Sequence, residues 1–196
     1  MKEISPYFYE QELESFLRNK TNITIFFGGA EVTIGQEYLK VVRERFLDMK
    51  KTAERAMEQL SEDELFYCFN EESNSIGMIV KHMNGNMISR WTDFFASDGE
   101  KPNRNRDDEF TNDLKSREEL LDRWEKGWQI FLKTLYEIDE KDLLKTIKIR
   151  NEPHTVIQAI ERQMYHYSYH IGQIVYIAKQ IKSTDWKTLT IPRRKQ

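Results

Sequence analysis

Four segments of the sequence repeat apolar residues at helical spacing, and this pattern limits the folds open to the chain. Each amphipathic helix of about twenty residues must bury one face, and four such helices can bury their faces against one another. The segments lie near residues 35–60, 76–95, 117–137 and 156–181. Residues that interrupt helices are scarce, with 4 prolines and 8 glycines in 196 residues. The sequence therefore predicts an all-α fold, a four-helix bundle.

The apolar stripes and the helix starts support each segment. Ser75 can cap the second helix, and Ser116 with Glu119 and Thr155 with Gln158 have the spacing of capping boxes. In chain order the stripes are Tyr38, Val41, Val42, Phe46, Met49, Ala53, Met57 and Leu60; Ile76, Ile79, Val80, Met83, Met87, Trp91 and Phe94; Leu120, Leu121, Trp124, Trp128, Phe131 and Leu135; and Val156, Ile160, Tyr167, Ile171, Ile174, Ala178 and Ile181.

Two regions differ from these helices. Residues 1–32 form an N-terminal extension of uncertain structure, in which 7–17 can make a short helix and 23–27 a short strand before Gly28 and Gly29. Residues 33–196 are predicted to be the bundle domain. Within it, residues 143–154 are expected to be extended, because Pro153 disfavours helix in the residue before it.

Composition narrows the function classes. The net charge is −3, which argues against nucleic acid as the main partner. The single cysteine, Cys68, excludes an internal disulfide and a cysteine-rich metal site, and it is expected to be a half-buried packing thiol. These features, together with apolar runs too short to span a bilayer, predict a cytoplasmic protein without a membrane partner.

Three of the four histidines have the positions of metal ligands. His166 and His170 are four residues apart, so they project about 40° apart around the helix and about 6 Å along it. His170 lies within the edge of the apolar stripe and His166 just outside that edge. His82 lies at the edge of the stripe of the second helix.

Imidazoles at positions i and i+4 can reach one metal ion, and a third imidazole would leave positions open for water or substrate. Tyr167 stands where a zinc protease motif has glutamate, so that class is not expected. Histidine ligands alone do not choose among zinc, nickel, iron and copper. The competing interpretation is that these are hydrogen-bonded structural histidines at the margin of the core. His154, beside Pro153, is expected to be a loop residue and not a ligand.

Two stretches resemble the DinB-like superfamily, which has a four-helix bundle fold and includes bacillithiol transferases and related thiol-dependent enzymes. They are "IVKHMNGNMISRW", which contains His82, and "YHYSYHIGQI", which contains the signature His166, His170, Gly172 and Gln173. The resemblance covers about residues 34–192 and is to a Bacillus-type subfamily. The metal-binding histidines of the superfamily correspond to His82, His166 and His170.

The resemblance implies a metal-dependent enzyme of the thiol S-transferase type. A divalent ion, zinc or nickel, would bind a low-molecular-weight thiol of the bacillithiol type as thiolate, which would attack an electrophilic small-molecule substrate. Two alternatives stay open: a hydrolase in which the ion activates water, and a non-catalytic metal-binding or interaction bundle. The superfamily also predicts a homodimer.

Other polar residues near the histidines have weaker roles in this interpretation. Gln163, one turn before His166, is a candidate for orienting an imidazole, and Asn86, one turn after His82, for contacting substrate or bound water. No catalytic residue is assigned. Arg104 and Arg106 are expected in a solvated loop or a dimer contact, because the second helix ends about 20 Å along its axis from His82.

Overall fold

The computed structural model describes residues 25–27 and 30–191, and this part of the chain is predominantly helical. Its α-helices are α1 (Ile34–Met57), α2 (Glu62–Leu65), α3 (Ile76–Trp91), α4 (Arg117–Glu137) and α5 (Val156–Lys182). Short 3-10 helices lie at Asp108–Phe110, Glu140–Asp142 and Ser183–Asp185. The four long helices match the four predicted segments. None of the described helices is both long enough and apolar enough to cross a membrane.

Two antiparallel hairpins accompany the helices. Strand β1 (Ile25–Phe27) pairs with β2 (Ala30–Val32), and β3 (Thr146–Ile149) pairs with β4 (Glu152–Thr155). Strand β1 lies within the strand expected at 23–27, and the second hairpin confirms the extended segment at 143–154. The helix expected at 7–17 and the Gly28-Gly29 turn lie outside the described residues. The predicted division of the chain after residue 32 stays a prediction.

The helix starts follow the predicted capping chemistry. Thr155 and Gln158 form a complete capping box at the start of α5. Ser116 accepts from the backbone N–H of Glu119, but the Glu119 carboxylate accepts from Lys115 N–H instead. The second half of that predicted box is therefore absent, although Ser116 still satisfies one free N–H at the helix start.

The four long helices pack around an aromatic core. Helix α1 packs against α5 and α4, and α3 packs against α4 and α5. In the centre the ring centroid of Phe131 lies 4.5 Å from that of Phe46 and 5.4 Å from that of Tyr167. Most of the predicted stripe is buried, but Val41 and Leu121 are 40% and 38% exposed. Adjacent helical residues point 100° apart, so their neighbours Val42 and Leu120 take the buried positions.

Helix α3 ends at Trp91, four residues before the predicted end. Thr92 is extended (ψ 132°) and Asp93 has a positive φ of 48°, which stop the helix. Phe94 then turns back and stacks on Trp91 with ring centroids 4.7 Å apart. The apolar pattern continued to Phe94 because that side chain still reaches the core, although its backbone has left the helix.

A tight turn fixes the second hairpin to the loop that follows α3. Arg150 and Asn151 have φ angles of 56° and 64°, as in the two-residue turns that suit the twist of a hairpin. The Asp98 carboxylate accepts from both of their backbone N–H groups. The backbone N–H of Gly99 donates to Lys148 in β3. These bonds hold the loop against the hairpin and bring both to one side of α3.

The end of the described chain packs back against the core. Trp186 and Leu189 lie partly buried against the core, and Arg55 donates to the carbonyl oxygen of Leu189. Cys68 is half-buried, as predicted.

Candidate metal centre

The structure brings His82, His166 and His170 together. His82 Nε2 lies 3.2 Å from His166 Nε2, and His170 Nε2 lies 3.1 Å from the same atom. One nitrogen from each ring lies within 4.8 Å of the others. His82 and His170 are buried and His166 is half-buried, so the group sits at the core margin that the helical face calculation predicted.

The opposite nitrogens of two rings are anchored. His82 Nδ1 lies 2.9 Å from Glu109 Oε2, and because a carboxylate only accepts, the ring donates its Nδ1–H. His170 Nδ1 lies 2.8 Å from Gln173 Oε1 and donates in the same way. Fixing the proton on Nδ1 leaves the Nε2 lone pair of each neutral ring pointing into the cluster.

Electrostatics favours neutral rings. Burial, together with the neighbouring His170 and His82, lowers the pKa of His166 to about 3. The pKa of His170 is lowered to about 4, because burial outweighs the opposing effect of the hydrogen bond from its ring to Gln173. Both imidazoles are therefore free of the second proton near neutral pH, as metal ligands must be.

The cluster fits a divalent ion better than it fits a hydrogen-bonded network. In neutral rings, His82 and His170 both turn a lone pair toward His166 Nε2, which can donate at most one hydrogen. At least one of these two nitrogen–nitrogen contacts therefore has no hydrogen between its atoms and is not a hydrogen bond. Metal–nitrogen distances of about 2.1 Å at angles of 90–110° separate two ligand nitrogens by about 3.0–3.4 Å. The two spacings between the Nε2 atoms fall in this range.

A buried ion pair positions His82. Arg104 Nε donates to Glu109 Oε1 at 2.7 Å and Arg104 Nη2 to Glu109 Oε2 at 2.8 Å, and the two side chains are only 5% and 7% exposed. Burial alone would raise the pKa of the Glu109 carboxyl, but the hydrogen bonds from Arg104 and His82 outweigh it and hold that pKa below its ordinary value. Glu109 is thus a carboxylate that accepts three hydrogen bonds.

The expectation that Arg104 lies in a solvated loop or a dimer contact is wrong. The end of α3 is far from His82 along the helix axis, but the loop that follows does not continue in that direction. It folds back over the helix, and Asp108–Phe110 packs on α3. Phe110 stacks on His82 with ring centroids 4.7 Å apart. A loop without helical periodicity gives no sequence signal for such a return.

Asn86 and Gln163 lie beside the cluster and bind each other. Gln163 Nε2 donates to Asn86 Oδ1 at 2.9 Å, and the Tyr167 hydroxyl donates to the same oxygen at 3.3 Å. Both amides line a cavity that opens next to His82 and His166. Gln163 therefore bridges two helices, and Gln173 makes the imidazole contact that was expected of Gln163. A role for either amide in substrate binding stays a prediction.

The remaining histidine stands apart. His154 lies in β4, where its Nδ1 is 3.0 Å from the carbonyl oxygen of Glu152. It is not a member of the three-histidine cluster.

Comparison with known families assigns most of the chain to one family. The model of a family described as "Protein of unknown function (DUF1572)" matches residues 33–195. The chain belongs to the DUF1572 family. This family is DinB-like, in agreement with the resemblance carried by the two histidine stretches. No curated protein matches the chain.

Sequence reasoning missed some of the residues that build the site of this DUF1572 protein. Gln173 belongs to the signature of His166, His170, Gly172 and Gln173. Its i+3 spacing from His170 could have indicated the hydrogen bond between these two side chains. Glu109 and Arg104 come from the loop, where neither spacing nor composition distinguishes them from the other charged residues nearby.

Gly85 allows the Glu109 carboxylate to lie against α3. A Cβ atom at residue 85 would lie 2.1 Å from Glu109 Oε1. Gly85→Ala should displace Glu109 and destabilise the fold by about 1–3 kcal/mol, the usual range for overpacking. Unfolding free energies and the ¹⁵N shifts of the His82 ring measure both effects. Gly172→Ala is the matched control, because nothing lies within 4 Å of its added Cβ. Unchanged His82 shifts in Gly85→Ala would contradict this role.

The low pKa values of His166, near 3, and of His170, near 4, predict a pH-dependent stability. Unfolded histidines titrate near 6.5, so between about pH 6.5 and 4 the unfolded chain binds more protons than the fold. The unfolding free energy of metal-free protein should therefore decrease as the pH falls through this window. The double variant His166→Asn/His170→Asn isolates this effect from that of the carboxylates. A wild-type-minus-variant difference that stays constant from pH 6.5 to 4 would be contrary evidence.

Proposed function

We propose that this protein is a metal-dependent enzyme of the DinB-like superfamily, whose four long helices form that superfamily's four-helix bundle. His82, His166 and His170 would hold a divalent ion, zinc or nickel. One observation carries the proposal: the Nε2 atoms of His82 and His170 both lie at metal-ligand spacing from His166 Nε2, while Glu109 and Gln173 fix the protons on the opposite nitrogens of His82 and His170. Such outer hydrogen bonds accompany metal-bound histidines in general.

The proposed reaction is transfer of a low-molecular-weight thiol of the bacillithiol type to an electrophilic small molecule. A divalent ion with three protein ligands supplies open positions and Lewis-acid chemistry that lowers the pKa of a thiol or of water. The thiol sulfur forms a bond to the electrophilic carbon, the leaving group departs with the bonding electrons, and the thiol proton goes to solvent. The resemblance also predicts a homodimer, and the single cysteine favours a reducing cytoplasm.

The cavity beside the histidines supports an external nucleophile. Among the described residues that line it there is no cysteine, serine, lysine or carboxylate. Glu109, the carboxylate nearest to the cluster, is committed to Arg104 and His82. The only hydroxyl among these lining residues is that of Tyr165, so we propose that the nucleophile enters as a small molecule. The lining of this site favours thiol transfer over hydrolysis. A thiolate needs no general base once it has formed, whereas attack by water is usually assisted by one.

The surrounding residues would hold the ligand rings still. Phe110 stacks on His82 and covers one face of its ring. The Arg104–Glu109 pair fixes the ring from the Nδ1 side, and the Gln173 amide does the same for His170. Preorganised ligands avoid paying for ring ordering when the ion binds.

Metal analysis tests the proposed centre. Protein purified without chelator should contain about one equivalent of divalent metal by elemental analysis. His170→Ala should weaken binding by more than the 10–100-fold typical for loss of an outer hydrogen-bond partner, and remain folded by circular dichroism. His154→Ala is the matched control and should keep the ion. Wild-type protein without stoichiometric metal, or full retention in His170→Ala, would refute the centre.

Turnover tests the proposed reaction. The metal-loaded protein should accelerate formation of a thioether from bacillithiol and 1-chloro-2,4-dinitrobenzene, followed by absorbance, and His170→Ala should lose the acceleration. Hydrolysis of a nitrophenyl ester without thiol would instead identify the hydrolase alternative. A metal-loaded protein inactive in both assays would support a non-catalytic binding bundle.

A further inference from the structure

The cavity next to His82 and His166 is lined mainly by guanidinium groups. Its volume is about 300 Å³, at the small end of the range for ligand sites. Among the described residues that line it there is no acidic side chain. The five arginines that line it are Arg90, Arg104, Arg106, Arg150 and Arg162.

Two of these arginines are buried and fixed in place. The side chains of Arg90 and Arg104 are each 5% exposed. Arg90 Nη2 donates to Glu100 Oε2 at 3.0 Å, and Arg90 Nη1 donates to the carbonyl oxygen of Gly99. Arg104 Nη1 lies 3.3 Å from Glu100 Oε1, in addition to its contacts with Glu109. These bonds hold two guanidinium groups beside the histidines without free rotation.

Three arginines are more exposed. Arg150, in the hairpin turn, donates from Nε to Glu100 Oε2 at 3.0 Å. Arg106 and Arg162 form no ion pair with any residue that the structure describes. Arg162 lies one turn before His166 on α5, so it shares the side of the helix that carries the ligand rings.

The charges in this cluster do not balance. Within the described chain, the five arginines share only two ion-paired carboxylates, Glu100 and Glu109, and Asp98 is a further carboxylate near Arg90 and Arg150. The guanidinium groups therefore outnumber the carboxylates around them. Burial lowers the pKa of Arg90, and Arg104 and Arg150 lower it further against the opposing effect of Glu100. The guanidinium groups therefore repel one another at a place that an anion would stabilise.

The excess of positive charge is confined to this cavity and comes from arginine alone. The whole chain has 30 basic and 33 acidic side chains, so five arginines around one small cavity do not reflect a basic protein. No lysine is among the lining residues that the structure describes. Guanidinium groups present planar pairs of donors that match carboxylate and phosphate oxygens, which a lysine ammonium does not. The cavity has the chemistry of a site for such oxygens.

We propose that this arginine cavity is a binding site for the carboxylate or phosphate group of a small-molecule substrate or thiol. The anion lies among the five guanidinium groups, and the rest of the molecule extends toward the three histidines. The proposal rests on the proposed function only for the position of the reacting end. A small cavity on a chain with a net negative charge favours a small molecule over nucleic acid, which needs an extended basic surface.

Titration calorimetry with two probes, succinate and inorganic phosphate, tests the cavity in metal-loaded protein. Wild type should bind at least one probe saturably, and binding should weaken as salt is raised. Arg106→Gln and Arg162→Gln, which remove exposed arginines without breaking an observed ion pair, should each weaken binding about tenfold while metal content stays the same. Arg45→Gln is the matched control, because this exposed arginine lies on α1 outside the cavity lining. Its affinity should equal that of wild type.

The ion itself could bind these probes, and His170→Ala separates the two sites. Succinate or phosphate binding that persists in His170→Ala and still weakens with Arg162→Gln supports the arginine cavity, whatever the fate of the metal proposal. Binding that disappears in His170→Ala and is unchanged by both arginine substitutions places the anion on the ion and overturns the inference. Absence of saturable binding of both probes to wild type overturns it as well.

Discussion

The buried pair of Arg104 and Glu109 is the interaction on which the site depends. Two charges with side chains only 5% and 7% exposed are tolerated because every oxygen of the carboxylate is hydrogen-bonded: two bonds come from the guanidinium and one from His82. Removing one partner of such a pair typically costs about 3–5 kcal/mol. The pair joins a loop to α3, and it fits there because Gly85 has no side chain. The position of the loop therefore determines the orientation of the His82 ring.

The charge around the cluster explains why neutral imidazoles and arginines share one cleft. Neutral His166 and His170 add nothing to the positive charge, so the arginines are tolerated in the metal-free fold. A divalent ion would add two positive charges beside a cavity in which arginines already outnumber carboxylates. Such a centre favours a ligand with negative charge at both ends, a thiolate toward the ion and a carboxylate or phosphate toward the arginines. The metal centre and the arginine cavity would thus attract the two negatively charged ends of one ligand.

Sequence periodicity predicted what the helices determine. The projection of His166 and His170 from one side of their helix and the place of His82 at the margin of a stripe follow from helical geometry, and the three rings do lie together. The capping box at Thr155 follows from the spacing of two residues, and the structure contains it. Sequence also predicted the extended segment around Pro153, because a proline restricts its own neighbourhood.

Contacts between distant segments were beyond that reasoning. Glu109 reaches His82 across 27 residues of chain, and Asp98 reaches Arg150 across 52. Neither contact leaves a periodic pattern, since each is made by a loop whose path depends on the folded surface beneath it. The arginine cavity was missed for the same reason: its five members come from two helices, one loop and a hairpin turn. Helical geometry dictates the metal-ligand candidates, whereas tertiary packing dictates what surrounds them.

This division has a mechanical consequence. The three imidazoles stand on α3 and α5, long helices whose packing fixes their spacing to the accuracy that a metal ion requires. Arg150 instead stands in the hairpin turn, where the backbone N–H groups of Arg150 and Asn151 both bind the Asp98 carboxylate. A change in this turn would move the Arg150 guanidinium group and leave the histidines in place, because His82 is positioned by Glu109 and Arg104. On the proposed function, substrate selection can therefore change through the hairpin turn while the reactive centre, held by two helices, keeps its geometry.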